Sequence, residues 1–123
     1  MPSLFDVTAG SLVGPTTGGT VTQATDKSTG VTLNTESGQI TMNNAALAAA
    51  AEVTFTVTNS KIAATDVVVA CHGSAGTAGS YLVNANTMAS GSFKVTVANV
   101  SAGSLSEATV SYTHLTLPTI PLV

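Results

Sequence analysis

Cys71, His72 and Ser74 stand close together in Val67-Val68-Val69-Ala70-Cys71-His72-Gly73-Ser74-Ala75-Gly76, where a valine run enters a turn of small residues around a serine. A serine at such a junction imitates a nucleophile elbow. That motif, however, requires G-x-S-x-G followed at once by a helix, so that a strained turn lifts the hydroxyl clear of its neighbours. Here His72 takes the first glycine position and the next apolar run, Tyr81-Leu82-Val83, has the character of a strand. A serine nucleophile also needs a base oriented by a carboxylate. After Ser74 the chain offers only Glu107 and His114. The segment therefore reads as a connection between strands, with no catalytic residue.

Cys71 beside His72 could suggest a thiol catalyst, but successive side chains of a strand point to opposite faces and cannot meet. The valines before Cys71 predict a thiol in the core and an imidazole at the surface. Cys71 is the single cysteine, so no internal disulfide forms. The acids Asp26, Glu36, Glu52, Asp66 and Glu107 fall singly in turns or at strand starts, without the clusters that calcium or zinc require. Paired carboxylates for glycoside hydrolysis are disfavoured by the absence of Trp and the scarcity of other aromatics to form a sugar platform. Lys27, in Thr25-Asp26-Lys27-Ser28-Thr29-Gly30, is expected to be a solvated turn lysine. No catalytic, cofactor-binding or metal-binding residues are assigned, and the chain is expected not to be an enzyme.

The elements that would carry these residues are strands. Apolar residues alternate in short runs separated by small and polar residues, the spacing of an all-β sandwich or barrel. In Val53-Thr54-Phe55-Thr56-Val57-Thr58, Val53, Phe55 and Val57 share one face and the threonines the other. Phe93-Lys94-Val95-Thr96-Val97 repeats the pattern. Val21, Val31/Leu33, Ile40/Met42, Val67/Val69/Cys71, Leu82 and Val110 mark the rest, for about eight strands. The expected architecture is an antiparallel β-sandwich of jelly-roll or immunoglobulin-like type. Asn34 to Gly38 and Gly73 to Gly79 read as hairpin connections, making the strands they join antiparallel neighbours. Ala45 to Ala51 has helix propensity but is short, so a single helical turn and a plain loop both stay open.

With 123 residues there is length for one domain. Three domain segments are expected: a flexible leader over 1–19 ending in Gly14-Pro15-Thr16-Thr17-Gly18-Gly19, the sandwich over 20–112, and an unstructured tail over 113–123. Pro118 and Pro121 remove ladder donors from that tail. Ser111 to Val123 resembles a string that recurs at the ends of translated environmental assemblies, where a read has run into sequencing-adaptor DNA. The resemblance implies that the tail is non-native, that the natural chain continues differently after about Val110, and that His114 enters no functional argument.

Only 7% of residues are charged, and the net charge is −3 with three lysines and no arginine. Such a chain cannot neutralise a run of phosphates, which excludes ordinary nucleic-acid binding. No stretch approaches a membrane span, and the N-terminus has neither the basic nor the apolar region of a cleaved signal, so neither membrane anchoring nor export is expected. So few charges leave little repulsion between copies and few edge lysines to block strand pairing, so association is the physical expectation.

Val21-Thr22-Gln23-Ala24-Thr25, Gly30-Val31-Thr32-Leu33-Asn34, Gly38-Gln39-Ile40-Thr41-Met42, Phe55-Thr56-Val57-Thr58-Asn59-Ser60 and Asn99-Val100-Ser101-Ala102-Gly103-Ser104-Leu105 resemble small β-sandwich virion-associated proteins of tailed bacteriophages and prophages. The resemblance runs from Gly19 to about Glu107. It implies a structural subunit, a head decoration or a tail- or fibre-associated protein. Such a subunit is made in the host cytoplasm, is located in the virion, and has other virion proteins and copies of itself, for example as a trimer, for partners. It names no catalytic residue and no cofactor. The alternative from the residues alone is a glycan- or peptide-binding sandwich module using loops such as Gly73 to Ser80.

Overall fold

Threonine and valine, stiff at χ1 and suited to a pleated surface, dominate the strands of the computed structural model, which describes residues 18–116. Eight strands run in chain order: β1 (Gly19–Thr22), β2 (Val31–Thr32), β3 (Ser37–Thr41), β4 (Glu52–Thr58), β5 (Val67–Ser74), β6 (Tyr81–Ala89), β7 (Ser92–Asn99) and β8 (Val110–Thr116). They form two four-stranded sheets, sheet A in the order β1-β3-β8-β5 and sheet B in the order β2-β4-β7-β6. Among the described residues there is no helix.

One buried cluster joins the sheets into a sandwich-like body. Sheet A supplies Ile40 and Val68, sheet B supplies Phe55, Val57, Phe93, Val95 and Val97, and Leu33, Met42, Leu47 and Ile62 enter from connections. The alternation expected in β4 and β7 is present. Phe55 opposes Val95 and Val57 opposes Phe93 across the antiparallel ladder, all facing inward.

Pairing is mixed rather than purely antiparallel, because β1 runs parallel to β3 and β2 parallel to β4. Both short links expected to be hairpins instead cross between sheets. Residues 33–36 carry the chain from β2 in sheet B to β3 in sheet A, and the Gly73–Gly79 link takes it from β5 in sheet A to β6 in sheet B. Packed sheets lie only about 10 Å apart, so a short link can bridge them as readily as it can reverse within one. The tight hairpin joins β6 to β7 through Gly91, whose φ of 87° favours glycine. Ala45 to Ala51 is a loop pinned by Leu47, which exchanges backbone hydrogen bonds with Leu105.

The boundary expected at 112 falls inside β8, which continues to Thr116 and lies between β3 and β5. A proline bars a ladder only at and beside its own position, so Pro118 leaves Val110–Thr116 free to pair. The expected leader, apart from its last two residues, and the tail beyond Thr116 lie outside the described residues. Two inward positions of β8, Ser111 and Thr113, carry hydroxyls. Among the described residues the fully buried Ser111 Oγ has no hydrogen-bond partner, and the Thr113 hydroxyl donates to the Gly38 carbonyl at 3.4 Å.

Candidate functional site

The chemistry-bearing side chains gather where β5 passes into β6. The link turns sharply, with left-handed backbone at Ala75, Gly76 and Gly79. A Cβ on Gly76 would lie 2.6 Å from Thr109 Cγ2, so that position admits glycine alone. Glu107, reaching in from the connection between β7 and β8, holds the turn. The Thr77 N–H (3.0 Å) and the Tyr81 hydroxyl (2.6 Å) both donate to its Oε1, and the Thr77 hydroxyl donates to Oε2 at 2.9 Å. The hydrogen bond from Tyr81, followed by that from the Thr77 backbone, keeps the Glu107 carboxyl below its ordinary range. Burial, reinforced by Glu107, pushes the Tyr81 phenol well up. His72 stands edge-on to Tyr81, the rings 5.3 Å apart and 75° inclined.

This arrangement ties elements together more readily than it moves protons. A carboxylate with three donors already bound is a weak base, and a phenol held on a carboxylate keeps its proton. The imidazole Nε2 is turned onto the carbonyls of Ser74 and Ala75 rather than onto the Ser74 hydroxyl. Cys71 and His72 face opposite ways, but in the reverse sense to that expected: the thiol is exposed and the imidazole half-buried against Tyr81. Four apolar residues in a row give no alternation to set the phase of a strand. Val68 and Ala70 take the inward positions, leaving Val67, Val69 and Cys71 outside.

A second network corrects the reading of Lys27 as a solvated turn residue. Its side chain is buried, with Nζ donating to the backbone carbonyls of Asn43 and Glu107. Burial lowers its pKa, and the Glu107 charge partly opposes that. Gln23 completes the knot: its Nε2 donates to the carbonyls of Lys27 and Thr29, and its Oε1 accepts from the Asn43 N–H. Glu107 thus joins two networks, one through its carbonyl and one through its carboxylate. Asp26, beside Lys27, stays exposed and caps its turn by accepting from the Ser28 hydroxyl and N–H, which lower its pKa.

On the outer face of sheet B, Ser28, Gly30, Thr54, Phe55, Thr56 and Lys94 line a shallow polar hollow of about 240 Å³. Beside it Thr54 and Thr96 share a hydroxyl hydrogen bond at 2.8 Å, and the Asn86 amide donates to Thr96 at 3.0 Å. Among the described residues, no three His, Cys, Asp or Glu side chains come together as metal ligands, and no helix is long and apolar enough to cross a membrane. The roles of Tyr81, Thr77 and Gln23 went unread in the sequence. Each is set by a residue on another element, and no local spacing signals it.

No family profile, curated protein or solved structure matches this chain.

Proposed function

We propose that this chain is a non-enzymatic structural component of a tailed-bacteriophage virion, a head-decoration or tail- or fibre-associated subunit that works by packing against other virion proteins and against copies of itself. The observation that carries the reading is where the charges lie. Glu52 and Lys94 are the only Asp, Glu, Lys or Arg in the eight strands; the other charged side chains among the described residues stand in connections. Sheet faces of threonine, asparagine, alanine and valine with so few charges can be covered by another protein with little of the penalty of stranding a charge, several kcal/mol per buried ion. The likeness to phage proteins between Gly19 and Glu107 points the same way. For the finer topology we propose a jelly-roll winding over an immunoglobulin-like one. It is supported by nested pairing, β3 with β8 and β4 with β7, as if one long hairpin had been rolled up.

The test is gradient sedimentation of the full chain, alone and mixed with purified tailed-phage particles. A mass above that of a single chain, or co-migration with particles, is the expected result. Protein that stays monomeric and ignores the particles would sink the reading.

The polar hollow beside Lys94 favours a second reading, a module that grips an acidic glycan or peptide. It predicts glycan-array or peptide binding that Lys94→Ala abolishes, and silence on both arrays rules it out.

A further inference from the structure

Sheet B is incomplete along one edge. Its edge strand β2 pairs, in parallel, with only two of the seven residues of β4, Val57 and Thr58. Before Val31 the chain comes in from the Asp26–Thr29 turn, so among the described residues no strand lies on that side of Glu52 to Thr54. The ladder fixes where the uncovered backbone points. The Leu33 N–H donates to the Thr58 carbonyl at 2.9 Å, and on the other side of β4 the Asn99 N–H donates to the Ala51 carbonyl at 2.9 Å. Alternate residues of a strand direct their backbone groups to the same side, so the N–H and C=O groups of Thr54 and Glu52 turn away from β7, towards the open edge. The inward side is less closed there as well. Phe55 and Val57 are buried, whereas Val53 is only partly buried. Along the outer side of the same edge lies the polar hollow, with Ser28 and Gly30 on one flank, Thr54 and Thr56 on the other, and Lys94 as its charged lining residue.

We infer that this edge is a strand-addition site, which takes an extended segment of another protein, with an acidic side chain, alongside Glu52 to Thr56 and in line with β2. This rests on the second reading, of a module that grips an acidic ligand, and takes a peptide over a glycan. Three observations define the occupant. A row of main-chain donors and acceptors at the strand repeat is matched residue for residue by another extended backbone, which a glycan does not reproduce. The partly buried Val53 is covered by an apolar side chain at an inward position of the segment. Lys94, directly across from Thr56, attracts an acidic side chain at an outward position near Thr56, and the exposed Glu52 repels one at the far end, so charge sets which end of the segment lies where.

The probe is a capped heptapeptide, Thr-Val-Asp-Val-Thr-Val-Thr, titrated to millimolar concentration into the isotope-labelled full-length protein. Amide hydrogen exchange at Thr54 should slow severalfold and the resonances of Glu52 to Thr56 should shift, while those of β6, at the opposite edge of sheet B, stay in place. A probe with Lys in place of its Asp should lose most of the binding. Lys94→Ala should do the same without lowering the melting temperature, because that side chain is exposed. The sharpest comparison uses two further copies of the probe, N-methylated at alternate residues, one from its first residue and one from its second. Only one set of peptide amides faces β4, so one copy should bind and the other should not.

If the two methylated copies behave alike while Lys94→Ala still abolishes binding of the parent, strand addition is overturned and the acidic-ligand site stands. Binding of acidic glycans with none of the peptide has the same meaning. If neither peptide nor acidic glycan binds, the second reading falls and this inference with it. If Thr54 exchanges slowly without peptide and the probe changes nothing, the edge is covered by the chain itself and the inference fails.

Discussion

Glu107 and Lys27 show how a nearly uncharged chain uses its few ionic groups. Among the described residues neither pairs with an opposite charge at close range; each is surrounded by groups from elsewhere in the chain. Lys27→Met keeps the aliphatic stem but leaves the Asn43 and Glu107 carbonyls without a donor, and should cost about 2 kcal/mol by thermal or denaturant unfolding. Glu107 makes stability depend on pH. Its folded-state pKa lies below the ordinary carboxyl value, so its contribution is complete above about pH 4.3 and is lost as pH falls through the lowered value. The melting temperature should therefore drop on acidification, and Glu107→Gln should show a shallower drop in the same scan. Ser111 presents the opposite case, a buried hydroxyl with no partner among the described residues. Ser111→Ala removes that penalty and should stabilise the protein by about 1 kcal/mol.

At the scale of elements, β8 carries the most. It is the middle partner of both β3 and β5, so a chain ending at Thr109 leaves sheet A split. Circular dichroism of that truncation should show loss of the cooperative β transition, since both ladders of β8 are removed from a typical stability margin of only about 5–15 kcal/mol. What the sequence disclosed about elements follows one rule. Where apolar and hydroxyl residues strictly alternate, as in Phe55/Val57 and Phe93/Val95/Val97, both the strand and its inward face were legible. Where they do not, as in Val67 to Ala70, the strand was legible and its phase was not, which turned Cys71 outward against expectation. Connections were the least legible. Asn34 to Gly38 and Gly73 to Gly79 have turn chemistry suited equally to a hairpin or a crossing between sheets, and the choice is made by residues far along the chain. Lys27 illustrates the same limit, for its acceptors lie 16 and 80 positions away.

The described residues form two packed sheets, with both strand charges on sheet B, held at their connections by hydrogen-bond knots around Gln23, Lys27, Glu107 and the buried Asn99. Asn99 binds the carbonyls of Leu47 and Gly103 and so ties the β3–β4 and β7–β8 connections to the end of β7. Connections tied by hydrogen bonds and sheets with only two charged side chains suit the proposed role of a subunit that is packed against. The most direct test is sedimentation of the full chain with and without tailed-phage particles. The chain should travel with the particles or as a multiple of its single-chain mass. A monomer at every concentration, absent from the particle fraction, would contradict the role of a virion subunit.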